Sequence, residues 1–223
     1  MIRKAILFDL DGTLVDTAPD LAAATDYALQ QVGRPPVGLA AIRQMVGDGA
    51  RVMVEKGLNA TGGVPSAEVF EAAMDAFFVY YAAHLADTSR PFPGVATCLA
   101  RLAEQGYALA VCTNKSERFS HDLLGQVGLS GFFGAVVGGD TLPMRKPDPG
   151  HIHGTLERLG GGPFDWAAMI GDSANDINAA KAAGVPSVVV SFGYTQIPAG
   201  ELGADRLIDH YDDLPAALAA LGG

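Results

Sequence analysis

The stretch "AILFDLDGTLVDT", residues 5–17, runs from an apolar strand pattern straight into two carboxylates, Asp9 and Asp11, one residue apart. A strand that ends in two mutually repelling acids is costly unless a cation neutralises them. Further apolar, β-rich runs also end in polar residues: "ALAVCTN" (108–114), "AVVGGD" (135–140), "AAMIGD" (167–172) and "SVVVSF" (187–192). Helical patterns stand between them. "SERFSHDLLGQVG" (116–128) puts Phe119, Leu123, Leu124 and Val127 on one face. "DPGHIHGTLERLG" (148–160) opens with Asp148 as an N-cap and Pro149 at the first helical position. "ANDINAAKAAG" (174–184) closes on a C-terminal glycine. Strands alternating with helices predict an α/β fold: a doubly wound, Rossmann-like, mostly parallel sheet. The runs lack period-2 alternation, as expected when helices cover both faces.

Residues 18–88 read differently. "DLAAATDYALQQV" (20–32) carries Leu21, Ala24, Ala28, Leu29 and Val32 at helical spacing. "SAEVFEAAMDAFFVYYAAHL" (66–85) aligns Phe70, Met74, Phe77, Tyr81 and Leu85. The expected organisation is a core of residues 1–16 plus 89–223 and an inserted all-helical cap over 17–88. The hinges are the proline-containing "LVDTAP" (14–19) and "TSRPFPG" (88–94). Near the C-terminus, "DRLIDH" (205–210) reads as a short edge strand and "DDLPAALAAL" (212–221) as a closing helix.

A chain of 223 residues has room for one sizeable core and a second small one. With 15 basic and 25 acidic residues the formal charge is −10, which argues against general nucleic-acid binding. Any anionic ligand must be attracted locally, by a metal ion or a few placed cations. Cys98 and Cys112 stand outside any metal-binding or disulfide spacing and read as two buried thiols in a reducing compartment. The N-terminal apolar run is cut by Asp9, and no stretch approaches the ~18 apolar residues of a membrane span. The expectation is a cytoplasmic protein, monomer or homodimer, with no membrane and no nucleic-acid partner.

Sheets of this type place their sites beyond the carboxyl ends of the strands, near the point where strand order reverses. There the chain puts Asp9 and Asp11, Thr113 and Asn114, Lys146 in "RKPDP", and Asp172 and Asp176 in "GDSANDINAA". Carboxylates and carbonyl oxygens with no histidine or thiolate suit hard Mg²⁺. Lys146 supplies a complementary charge, and Thr113 and Asn114 can donate to phosphate oxygens.

The set "DLDGT", "CTN", "KPDP" and "GDSANDI", in that order on those strand ends, resembles the haloacid dehalogenase superfamily of phosphohydrolases. The likeness covers nearly the whole chain. "VGDGARVMVEKGL" (46–58), "GDSANDINAAKAAGVPSV" (171–188) and "SFGYT" (191–195) are similar to its bacterial phosphoglycolate phosphatase branch. The resemblance implies Asp9 as nucleophile, forming an aspartyl-phosphate, and Asp11 as general acid and then base. It implies Thr113 and Lys146 holding the phosphoryl group. Mg²⁺ would sit on the Asp9 and Asp172 side chains and the Asp11 carbonyl, with Asp176 fixing water or Lys146. The superfamily's dehalogenases lack the second acid of the first motif, so Asp11 favours phosphoryl transfer. The expected substrate is a small phosphorylated acid such as 2-phosphoglycolate. A sugar-phosphate phosphatase, a pyrophosphatase, a phosphosugar mutase and a silent phosphometabolite-binding relative are the alternatives.

Specificity should come from the cap. "RQMVGDGAR" (43–51) offers Arg43 and Arg51 around a Gly47–Asp48–Gly49 turn whose glycines let backbone N–H groups approach a ligand. The competing reading is a helix–helix turn with solvated arginines. No Gly-Lys-Ser/Thr follows, so the turn is not a P-loop. His151 and His153, two apart, do not share a helical face and read as surface residues. His84 reads as a partly buried packing residue. Phe70, Phe77 and Tyr81 read as cap core or as cap packing against the sheet domain. "PAGELGADR" (198–206) reads as surface.

Overall fold

The computed structural model describes residues 2–64 and 66–223. Among them, β1 (Lys4–Phe8), β4 (Ala108–Cys112), β5 (Ala135–Val137), β6 (Trp166–Gly171), β7 (Ser187–Val190) and β8 (Arg206–Ile208) form one sheet in the order β5-β4-β1-β6-β7-β8. All its pairings are parallel. The order reverses between β1 and β6, so the switch point lies where Asp9 and Asp172 leave the sheet. Two short strands, β2 (Val15–Asp16) and β3 (Arg90–Pro91), pair antiparallel where the chain leaves and re-enters the core. Two residues a strand are too few to show a period, so this pair leaves no sign in the sequence.

The sheet is covered on both sides. Ile6 and Phe8 pack with Leu99 and Leu102 of α5 (Val95–Glu104), Leu123 of α6 (Glu117–Gln126) and Leu214 of α9 (Leu214–Ala219). Leu7 points the other way, onto Ile152 of α7 (Pro149–Arg158) and Ala179 and Ala180 of α8 (Ala174–Ala183). Alternate residues of one strand therefore meet different helix layers, and every position is apolar. Asp148 accepts the Gly150 N–H at 2.8 Å and Pro149 opens α7, as expected; Gly184 ends α8 at φ 70°. Amphipathic α5 went unread in the sequence, being the one core helix not directly behind a recognised strand.

Between β2 and β3 the chain is helical: α1 (Ala18–Gln31), α2 (Gly38–Arg43), α3 (Ala50–Ala60) and α4 (Ala67–Ala83). Leu21, Leu29, Met53, Met74 and Phe77 are buried among these helices. Their cluster is continuous with one face of the sheet core, in place of the separate small core that the chain length suggests. Tyr81 supplies part of the join, meeting Phe119 of α6 edge-on at 5.3 Å. The two crossings of the chain are tied by Asp20, whose carboxylate accepts the Ser89 N–H at 2.7 Å and Oγ–H at 2.6 Å. Burial pushes Asp20 up, but the Ser89 and Thr88 hydrogen bonds outweigh it and hold the carboxyl below its ordinary range.

His84 is half-buried, against Tyr80, as expected. Cys98 and Cys112 are buried and unpaired. His151 is a correction. It is fully buried under β5, with Nε2 3.1 Å from the Gly138 carbonyl and Nδ1 3.8 Å from Cys112 Sγ. Burial, followed by the nearby Lys146 charge, pushes its pKa down to about 4, so the ring packs as a neutral polar group. Its neighbour His153 is exposed, as read. Within the stretch read as surface, Ala199 and Leu202 pack on Ile177 and Val189. Among the described residues, no helix is long and apolar enough to cross a membrane.

Candidate active site

Asp9 is the first residue past β1, and its N–H still bonds the Ile170 carbonyl of β6 at 2.9 Å. The sheet thus holds the backbone that presents this side chain. Asp172 leaves β6 beside it. Lys146, from the loop after β5, places Nζ 3.0 Å from Asp9 Oδ1 and 2.6 Å from Asp176 Oδ1. Its side chain is 1% exposed. The other oxygen of Asp176 accepts the N–H groups of Asp172 and Ser173 and the Ser173 hydroxyl, at 3.2, 3.0 and 2.7 Å. Asp176 therefore caps α8 and anchors Lys146 at once, and both its oxygens are engaged. Asp172 accepts from the Tyr194 N–H at 2.6 Å and the Thr13 hydroxyl at 3.2 Å.

The crowding depends on glycine. A Cβ on Gly171 would overlap the Asp176 carboxylate, and one on Gly12 would overlap that of Asp172. Gly12 also sits at φ 81°, where a side chain is strained. Gly171→Ala is expected to destabilise the protein by about 1–3 kcal/mol, since backbone must shift to admit the methyl group. A melting curve checks this, and an unchanged midpoint would contradict the packing described.

Carboxylate oxygens of Asp9, Asp172 and Asp176 lie within 4.8 Å of one another, all buried. Burial pushes Asp9 up to about 6; Lys146 pulls it down and Asp176 pushes it up again. Burial also drives Asp172 well above the ordinary carboxylate range, with Asp176 and Asp9 adding to it. Burial works against the Lys146 charge, but Asp176 and Asp9 outweigh it and hold the ammonium protonated. Three buried acids thus stand together with one lysine, which pairs with Asp9 and Asp176. With Asp176 saturated, Asp9 and Asp172 have lone pairs left for a cation. These are oxygen donors only, so the cluster could hold a hard divalent metal ion.

Asp11 turns to another side, accepting from Thr17 Oγ at 2.8 Å and facing Lys115 Nζ at 3.2 Å. Asp9, Asp11 and Thr113 line a cleft of about 250 Å³ whose walls include Phe77, Phe78 and Phe119. Gly47 and Gly49 line it from the helical segment. The turn is pinned to the core: Asn175 Nδ2 donates to the Gly47 carbonyl at 3.2 Å and to Asp48 Oδ1 at 2.8 Å.

Other expected ligand groups are placed differently. Asn114 spends its amide hydrogens on the Gly47 and Lys146 carbonyls, both at 3.0 Å, leaving none for a phosphate. Its Oδ1 is buried with no partner among the described residues. Arg43 pairs with Asp16 at 3.2 Å and lies over the Tyr194 ring, away from the cleft lining. Arg51 reaches the cleft rim, yet it pairs with Glu71 at 2.6 Å and covers Phe70. In each case the arginine takes a carboxylate that folding brings near, which spacing within one loop cannot reveal.

Two further cations of the cleft, Lys115 and Arg145, carry no motif signal of their own in the sequence. Both adjoin recognised positions: Lys115 follows Thr113–Asn114 and Arg145 precedes Lys146. Tyr194 and Thr13, which orient Asp172, carried no signal beyond lying in motif-like stretches.

The family model for haloacid dehalogenase-like hydrolases matches residues 6–190. The chain is 48% identical over 216 residues to the phosphoglycolate phosphatase of Caulobacter vibrioides, covering 97% of this chain and 91% of that protein. It is 44% identical over 214 residues to that of Agrobacterium fabrum, covering 95% and 91%. A crystal structure described as a predicted phosphoglycolate phosphatase from Haemophilus somnus superposes with a TM-score of 0.91 at 32% identity, covering 97% of this chain and 98% of the other. This chain belongs to the haloacid dehalogenase-like hydrolases.

Proposed function

We propose that this hydrolase is a Mg²⁺-dependent phosphatase of small phosphorylated acids, with 2-phosphoglycolate as its substrate and glycolate and phosphate as products. The observation that carries the reading is the buried Asp9 carboxylate, oriented by Lys146 and open to a cleft whose other polar wall is Asp11. The names of the relatives support the choice of substrate. Residues 17–88 act as the cap that shuts water from the reacting groups. The two buried, unpaired cysteines suit a reducing, cytoplasmic compartment.

One carboxylate oxygen of Asp9 attacks phosphorus in line with the departing alkoxide, and the aspartyl-phosphate forms as the P–O ester bond breaks. Asp11 gives its proton to the leaving oxygen. It then takes one from the water that attacks phosphorus, and the phosphoaspartate bond breaks to regenerate Asp9. Lys146 holds Asp9 in a fixed rotamer and offsets charge on the phosphoryl oxygens. Thr113, nearly fully buried at the end of β4, lies on the same cleft wall and donates its hydroxyl to a phosphoryl oxygen. Mg²⁺ would be held by the Asp9 and Asp172 side chains and the Asp11 carbonyl, and when bound it neutralises charge and templates the displacement.

The test is phosphate release from a panel of phosphorylated metabolites with Mg²⁺ or with chelator. The expected result is turnover of 2-phosphoglycolate above the rest, lost in chelator. Sugar-phosphate interconversion without free phosphate would contradict it.

Asp172→Asn is expected to remove most Mg²⁺ activation while raising the melting temperature of the chelated protein by a few degrees. It relieves repulsion in a buried acid cluster, an effect on the order of 1 kcal/mol. Melting curves with and without Mg²⁺ check both halves. An unchanged Mg²⁺-induced shift would place the ion elsewhere.

A further inference from the structure

Among the described residues the buried lysines are Lys115 and Lys146. Lys146 is held between Asp9 and Asp176, whereas Lys115 lines the cleft. An ammonium group has three hydrogens to donate. One of those on Lys115 goes to the Tyr81 hydroxyl oxygen at 2.6 Å, and the Asp11 carboxylate meets the ammonium through both oxygens, at 3.2 and 3.3 Å, long contacts that a single shared hydrogen can supply, so that the third can turn to a ligand. The Tyr81 hydroxyl, accepting from Lys115, keeps its own hydrogen and finds no acceptor for it among the described residues. Two donors, one of them charged, therefore stand side by side on the cleft wall.

Their surroundings fix them. The Tyr81 ring lies 5.4 Å from Phe77 and 5.3 Å from Phe119, centre to centre, and the Lys115 ammonium lies 4.6 Å from the Tyr81 ring centre. Apolar walls exclude water, and charge-assisted hydrogen bonds gain strength in such a place. Arg43 and Arg51 are paired with Asp16 and Glu71, which leaves Lys115 and Arg145 as the cations of the cleft wall.

We propose that Lys115 and Tyr81 form the subsite that recognises a carboxylate on the leaving group of the phosphorylated substrate. The inference rests on the phosphatase reading above. Position supports it as well as donor count. Lys115 sits beside Asp11, the acid that meets the leaving oxygen, and a carboxylate one methylene beyond that oxygen falls within its reach. Lys115 comes from the sheet domain and Tyr81 from α4, so the subsite is complete only with α4 seated on the core.

The test compares 2-phosphoglycolate with ethyl phosphate, which keeps the chain length and lacks the carboxylate. Wild type is expected to prefer phosphoglycolate in kcat/KM by roughly 100-fold or more. Tyr81→Phe should raise KM for phosphoglycolate roughly tenfold and leave ethyl phosphate unchanged, because only one hydrogen bond to an anion is lost. Lys115→Met should bring the two substrates to within a few-fold of each other, and Lys115→Arg should restore part of the preference. Circular dichroism melts report folding, and Tyr81→Phe, which keeps its ring packing, decides the matter if Lys115→Met is unfolded. Equal losses on both substrates would mean that the pair only positions Asp11, and would overturn the subsite. A preference that survives in Lys115→Met would overturn it alone. A wild type with no preference would overturn the substrate reading together with it.

Discussion

Asp9→Asn is expected to abolish turnover, with kcat falling by about 10⁴-fold or more, while the protein stays folded. An amide does not attack phosphorus, and no other carboxylate on the cleft wall is buried as Asp9 is. Asp11, the other cleft acid deep enough to consider, is turned toward Thr17 and Lys115. The fold should survive because the amide oxygen can still accept the Leu10 N–H, a 2.8 Å bond in the native protein. Lys146 keeps Asp176 at 2.6 Å. The substitution also removes one of three crowded acids. Steady-state phosphate release together with a melting curve makes the check, and activity within tenfold of wild type would refute the nucleophile assignment.

Lys146→Met has the largest expected effect on stability. It leaves Asp9, Asp172 and Asp176 buried with no cation. Breaking a buried ion pair from one side costs about 3–5 kcal/mol, because the remaining charge is neither solvated nor paired. For a chain of this size that is a drop of roughly 10 °C or more in melting temperature. The acids can escape part of the cost by taking up protons, so the loss should be larger at neutral pH than near pH 5. Mg²⁺ should recover part of it by mass action on the folded state. Calorimetry in chelator and in millimolar Mg²⁺ at both pH values measures this. A midpoint within about 2 °C of wild type in chelator would mean that the lysine offsets little of the acid repulsion.

The architecture was legible because buried parallel strands write themselves as unbroken apolar runs that end abruptly in polar residues. Ile6, Leu7 and Phe8 are all apolar since each meets a helix layer. The acids were legible for the same reason: Asp9, Asp11 and Asp172 lie just past a strand and Asp176 in the first turn of a helix, where the sequence changes character, whereas Lys146 stands in the loop between β5 and α7 and was legible from the "RKPDP" stretch around it. What remained hidden depends on contacts between distant segments. Arg43 finds Asp16 across the hinge, Asn114 finds the Gly47 carbonyl, and Lys115 finds Tyr81 from α4. A helical period showed that Tyr81 is buried, and its phenol was hidden within an apolar stripe. The burial of His151 was hidden because two histidines two apart on a helix do not show which of them faces the core, and a neutral imidazole with a carbonyl partner packs well there.

The central claim is that Asp9 carries the phosphoryl group during turnover. It is tested most directly by acid-quenching a single turnover of phosphate-labelled 2-phosphoglycolate in Mg²⁺ and locating the label by peptide mapping. The account predicts an acyl-phosphate on the peptide containing Asp9, reducible by borohydride at that residue and missing in Asp9→Asn. Turnover with no labelled peptide at any quench time, or label retained in Asp9→Asn, would contradict it.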